Sequence, residues 1–150
     1  MKLREVKPSD AGVVAYLILK WDSELPPWLK QVHGRADYAE RAARLVVDNP
    51  DKFISRLAHT DDGQVIGGYC INRAVGVFNP EPYGQLLMWY VLPSFRGNKL
   101  YGLRLLMDAL RMAKEEKLVR LEVFPWADQE NVERVLNRLG LVEAVHVWVA

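Results

Sequence analysis

The chain has 150 residues, enough for one domain whose core buries about two thirds of the surface that the unfolded chain exposes. Apolar residues make up 50% and charged residues 26%, which excludes a disordered chain, and a net charge of +1 excludes a strongly basic nucleic-acid protein. Cys70 is the only cysteine, so neither an internal disulfide nor a cysteine-based zinc site can form.

Leu3 to Val6 alternates with charges and predicts a short strand. Pro8-Ser9-Asp10 opens a helix, capped by Ser9 or Asp10, with Val13, Val14, Leu17 and Ile18 on its apolar face. Pro26-Pro27 breaks it. A second helical stretch runs from about Trp28 to Val47, with Gly34 as a point of interruption and Tyr38, Ala42, Leu45 and Val46 as its apolar residues. Asn49-Pro50-Asp51 stops that helix, and Phe53 to His59 predicts a strand. Asp61-Asp62-Gly63-Gln64 is a hairpin turn returning the chain along Val65 to Val75. After a loop at Asn79–Pro82, the apolar run Leu86 to Val91 predicts a central strand buried on both faces.

Pro93 ends that strand, and a helix follows from about Gly97 to Lys117. Its apolar face takes Leu100, Leu103, Met107, Leu110 and Ala113, and its polar face Arg104, Asp108, Arg111 and Glu115. Val119 to Phe124 is a strand, and Asp128 to Leu139 a short helix capped by Asp128 and stopped by Gly140. Val142 to Val149 is a last strand. The order β-α-α-β-β-β-α-β-α-β predicts a mixed α/β sheet with helices on both faces. The two strands flanking the long helix are expected to be parallel.

The segment richest in chemistry is Val91-Leu92-Pro93-Ser94-Phe95-Arg96-Gly97-Asn98-Lys99-Leu100-Tyr101-Gly102. A buried strand runs through a short loop into a long helix. The start of a helix has unpaired N–H groups and the positive end of the dipole, so a loop wrapped around it makes a pyrophosphate cradle. Arg96 and Lys99 add positive charge there.

In these residues the chain resembles the GCN5-related N-acetyltransferase (GNAT) family over nearly its whole length. "MKLREVKPSD" is similar to the family's opening strand and helix start, and "VLPSFRGNKLYGLRLL" to its acetyl-CoA signature. "LEVFPWADQENVERVLNRLGL" is similar to the following strand, the short helix and the terminal Leu-Gly-Phe. The resemblance implies a mostly antiparallel sheet with one parallel pair at the acetyl-CoA site. It gives the backbone of Trp89, Tyr90 and Val91 to the pantetheine arm. The loop Arg96, Gly97, Asn98, Lys99, Leu100, Tyr101 and Gly102 goes to the pyrophosphate, and Asn131 to a pantetheine amide. The implied activity is acetyl-CoA-dependent transfer of an acetyl group to an amine of an unidentified acceptor, a small molecule or a protein.

Glu122 matches the position of the base in the ribosomal-protein branch of the family; its other reading is a place facing the open sheet edge, or a pair with Arg120 or Lys117. Lys99 and Tyr101 stand where the signature has small residues, and Leu136 where many members carry an acid tyrosine. Tyr83, Tyr90 or Tyr101 can replace that acid. These departures keep open an alternative: a GNAT-fold structural or interaction module, for example a phage virion component, or a divergent modifier. Trp21, Trp28 and the Tyr38 region fall where the family builds its acceptor-binding helices. His33, His59 and His146 lack ligand spacing, so no metal site is expected, and Cys70 is expected to be a core thiol. The family's C-terminal hairpin is shortened here to one strand. Its apolar faces lead us to expect a homo-oligomer formed through it. With no apolar membrane span or signal segment, a cytoplasmic location is expected, with neither membrane nor nucleic acid as a partner.

Overall fold

Period-two alternation and β-branched residues build one sheet, and two amphipathic layers cover it. The computed structural model describes residues 1–97, 99–124 and 129–142, and of 129–131 the backbone alone. The elements run β1 (Lys2–Glu5), α1 (Ala11–Glu24), α2 (Ala36–Val47), β2 (Phe53–His59), β3 (Val65–Val75), β4 (Pro82–Val91), α3 (Tyr101–Glu115), β5 (Leu121–Val123) and α4 (Gln129–Arg138). Among the described residues the sheet order is β1-β2-β3-β4-β5. Neighbours are antiparallel except β4 and β5, which are parallel and have in α3 the long crossover that parallel neighbours need.

One face of the sheet packs Ile54, Ile66, Tyr69, Ile71 and Leu86 against Leu105, Leu106 and Ala109 of α3 and Leu136 of α4. The other face packs Phe53, Leu57, Cys70 and Met88 against Leu17 of α1. Val14 and Ala15 of α1 meet Ala39, Ala43 and Val47 of α2, where small residues let the helices approach closely. Gly84 starts the parallel pairing: a Cβ there would sit 2.8 Å from Leu121 and 2.9 Å from Ile71. Burial pushes the Cys70 thiol up to about 11, which makes it an unreactive core residue.

Several expectations need correction. The second helix starts at Ala36, not near Trp28. Asp22 is the cause. Its buried carboxylate accepts the backbone N–H groups of Gln31, Val32 (3.0 Å) and Gly34 (3.4 Å), which draws the connector out of helical geometry. His33 and Gly34 then take positive φ values of 49° and 70°. Within α2 the buried face is Ala39, Ala43 and Val47, while Leu45 is exposed. Tyr38 lies at the surface with Arg35 stacked 3.9 Å from its ring.

The third helix starts at Tyr101, because Leu100 is left-handed (φ 53°) and cannot continue a helix backwards. Its face is also turned. Leu100 and Met107 are exposed and Asp108 is buried. Asp108 accepts from Arg56 (3.2 Å), from the Tyr69 hydroxyl (2.8 Å) and from Arg111, so it is a satisfied buried charge tying α3 to β2 and β3. The fifth strand is shorter than expected, Leu121–Val123. At the end of α4, Leu141 N–H bonds Leu136 O (3.0 Å) and Gly140 takes φ 80°, the stop expected of that glycine. The expected Asp128 cap falls outside the described residues. So does the expected final strand beyond Val142, with the subunit contact through it.

Candidate active site

The run Leu86 to Val91 is buried on both faces only in part, and a β-bulge explains why. Cys70 is in register with Met88 and Ile71 with Leu86, so Leu87 is the extra residue and is left exposed. Across it the alternation changes phase: Leu86 faces α3, whereas Met88 faces α1. β5 pairs with β4 only from Gly84 to Leu86. Beyond the bulge, the described residues put no strand against β4 on that side. Trp89, Tyr90 and Val91 pair with Tyr69, Gly68 and Gly67 of β3 on the other. In an antiparallel ladder alternate residues turn both backbone groups away from the partner strand, so this edge offers hydrogen-bonding groups to a ligand.

A cavity of about 430 Å³ opens where the strands part. Its wall includes Trp21 and Glu24 of α1, Trp89, Tyr90 and Val91 of β4, and Arg96, Gly97, Leu100, Tyr101 and Gly102. Gly97 takes φ 125° and has open space where a Cβ would point, so the loop can press its backbone against a ligand. Within α3 the N–H of Arg104 bonds Leu100 O (3.0 Å), and the amides before it lie in the unpaired first turn. The Trp89 indole N–H donates to Gly102 O (2.7 Å), fixing the helix start to β4. The Tyr101 ring does not block this cradle, because it is buried in the core beneath α3. Lys99 stays exposed, its Nζ 5.9 Å from that ring. An open strand edge, a free helix start and a glycine loop around one cavity fit a pantetheine pyrophosphate.

The cavity also contains a carboxylate that no motif announces. Glu24, at the last turn of α1, accepts a hydrogen bond from the Tyr90 hydroxyl (2.6 Å) and a two-pronged pair from Arg96 (2.8 and 2.9 Å). Arg96 also donates from Nε to Val91 O (2.8 Å), so its charge is turned toward Glu24 and the end of β4. Burial, and then the Glu24 carboxylate, push the Tyr90 phenol above its ordinary range.

Of the residues expected at the site, Trp89, Tyr90, Val91, Arg96, Gly97, Leu100, Tyr101 and Gly102 meet at this cavity. Glu122 does not join them among the described lining. It is in register with Gln85, and its carboxylate accepts from Arg120 (3.0 Å), while the wall runs through Val123 and Phe124. Lys99 lies beside Tyr101, outside the wall. Asn98 and the side chain of Asn131 fall outside the described residues. Leu136 packs into the core. Trp21 lines the cavity, whereas Trp28 is 72% exposed at the surface. Among the described residues no three His, Cys, Asp or Glu side chains cluster as metal ligands, and no helix is long and apolar enough to cross a membrane.

Comparison with curated proteins found no match. Among solved structures, a probable acetyltransferase is 17% identical, with TM-score 0.80 over 100% of this chain and 97% of the other. The ribosomal-protein-alanine N-acetyltransferase of Brucella melitensis biovar Abortus 2308 is 15% identical, with TM-score 0.72 over 100% and 99%. The aminoglycoside 6'-N-acetyltransferase AAC(6')-IG of Acinetobacter haemolyticus is 17% identical, with TM-score 0.71 over 100% and 97%. At these identities the likeness is one of fold. The model of the Acetyltransferase (GNAT) family matches residues 15–141, which span both the splayed strands and the loop that enters α3; the chain belongs to that family.

Proposed function

We propose that this chain is an acetyl-CoA-dependent N-acetyltransferase acting on the amine of an acceptor. The observation that carries the reading is the cavity at the β4–β5 splay, which brings the open edge of β4, the loop at Gly97 and Glu24 together. When bound, acetyl-CoA supplies an activated acyl thioester. The chain's own groups then divide the work. Those backbone groups of Trp89 to Val91 that face away from β3 and are not taken by Arg96 are offered to the pantetheine arm, and the amides of Gly97 and of Lys99 to Gly102 face the pyrophosphate. Glu24 takes the proton that an ammonium must lose before it becomes a nucleophile. With 37% of its side chain exposed, it can pass that proton to water. Tyr90, which donates to Glu24 at 2.6 Å, is the acid within reach of the same point and stands in for the tyrosine absent at Leu136. Glu122 is the weaker candidate for the base, because the described wall of the cavity includes Glu24 but not Glu122.

Calorimetric titration with acetyl-CoA tests the reading. Saturable binding is expected, and Gly97→Leu is expected to weaken it by about tenfold or more. No saturable binding at about millimolar acetyl-CoA, where even a weak site near −4 kcal/mol would register, leaves a fold that has kept its shape and lost transfer.

A further inference from the structure

We infer that the acceptor is a monoamine carried on an apolar, aryl or branched-alkyl body, held in a second cavity behind the bulge. The inference rests on the transferase reading and adds the substrate class. This cavity, of about 370 Å³, lies between the α1–α2 layer and the sheet. It opens to the surface, and its size and mostly apolar walls are those of a small-molecule site. It shares Trp21, Leu25, Leu87 and Phe124 with the coenzyme cavity, so the two meet at the bulge.

The chemistry of the walls selects the occupant. Leu17, Ile18, Leu29, Val32 and Met88 line the second cavity, and no Asp or Glu is among its described lining. Arg56 and Tyr69 also touch it: Arg56 Nη1 and the Tyr69 hydroxyl are committed to Asp108, and Arg56 Nη2 to Leu3 O. That leaves the buried Ser55 Oγ and Arg56 Nε as polar atoms in these wall residues without a partner among the described residues, both able to donate and neither an acid for an ammonium. Glu24, next to the shared Leu25, is the one carboxylate in the two described linings, and it is already shared with Arg96, so it can receive one amine and not several. A polyamine would strip water from several ammonium groups with nothing to pair them, a cost that excludes it. A single amine meets Glu24 while its apolar body passes Trp21 into the pocket and gains the free energy of burial.

The test titrates the full-length chain, saturated with coenzyme A, with 2-phenylethylamine and with spermidine. 2-Phenylethylamine is expected to bind saturably and spermidine at least about tenfold more weakly. Leu29→Lys, which puts a cation into the wall from a half-buried position, is expected to lower 2-phenylethylamine affinity by about tenfold while leaving coenzyme A affinity unchanged. Ala42→Phe, which fills the same cavity from α2, does the same and guards against a folding defect in the first variant. Equal or tighter binding of spermidine overturns the inference. So does a shift in preference among acetyl-, butyryl- and hexanoyl-CoA with amine affinity untouched, which would give the cavity to the acyl chain. A chain that binds coenzyme A but not 2-phenylethylamine removes this inference alone; one that binds no coenzyme A removes the transferase reading with it.

Discussion

Glu24 joins residues that the sequence keeps far apart. Its partners Tyr90 and Arg96 lie 66 and 72 positions away, and a glutamate on the last turn of a helix matches no spacing rule. Only the fold brings it to the cavity, so sequence reasoning turned to Glu122, whose place on a strand is legible and whose pair with Arg120 is one of the readings the sequence left open and the fold decides. Arg96 and Gly97 were legible because the strand–loop–helix order announces them, but the turn of Arg96 toward Glu24 required coordinates. Glu24→Gln keeps the side-chain volume and one acceptor for Tyr90 while removing the charge. It is expected to lower kcat by about 10²- to 10⁴-fold, as loss of a general base does, with acetyl-CoA affinity changed far less. Steady-state kinetics beside a coenzyme titration checks this, and a kcat that survives the change would return the role of base to Glu122.

At the scale of elements, sequence periodicity found the strands and helices of the described residues but misjudged two helix faces and two helix starts, each for a reason outside the period. α3 was misphased because Asp108 looks solvated until Arg56, Tyr69 and Arg111 surround it. α2 was started too early because a buried aspartate, not a local signal, sets the connector. Asp22 has no exposed surface and satisfies three backbone N–H groups of the connector, that of Val32 fully buried. The same connector carries Leu29 and Val32, so the clamp shapes the second cavity as well as the fold. Asp22→Ala removes the acceptor from all three donors and is expected to cost about 3 kcal/mol, read as a lower urea midpoint. Asp22→Asn keeps one acceptor oxygen and is expected to cost less. If both variants unfold at the wild-type midpoint, the clamp contributes nothing and the connector is held by packing alone.

Across the whole molecule, one sheet carries the cavity at its β4–β5 splay, and three groups make stability depend on pH: His59 and Asp10 by its far edge, and Asp22 in the last turn of α1. His59 ends β2 with its Nε2 buried and unpaired. Burial first, and then the Arg4 charge, hold its pKa below the ordinary value. Its neighbour Asp10 is held below the usual carboxylate range by the hydrogen bond from Arg4, which outweighs the opposing effect of burial. Burial alone would raise Asp22, but the amides of Val32, Gln31 and Gly34, with Lys30, bring it below its usual value. All three groups act in one direction, because each binds its proton more tightly in the unfolded chain. Folding stability is therefore full above about pH 7 and falls first as pH drops through the ordinary histidine range near 6.5. It falls again below about pH 4, as Asp10 and Asp22 take up protons in the unfolded state. Urea midpoints measured from pH 8 to pH 3 are expected to show these two descents. His59→Gln removes the titrating group while keeping a polar side chain, so it should flatten the upper descent and leave the lower one in place. A wild-type curve level between pH 7 and pH 5 would mean that the His59 ring is as free to protonate in the folded chain as in the unfolded one, and that the β1–β2 edge is open to water at that point.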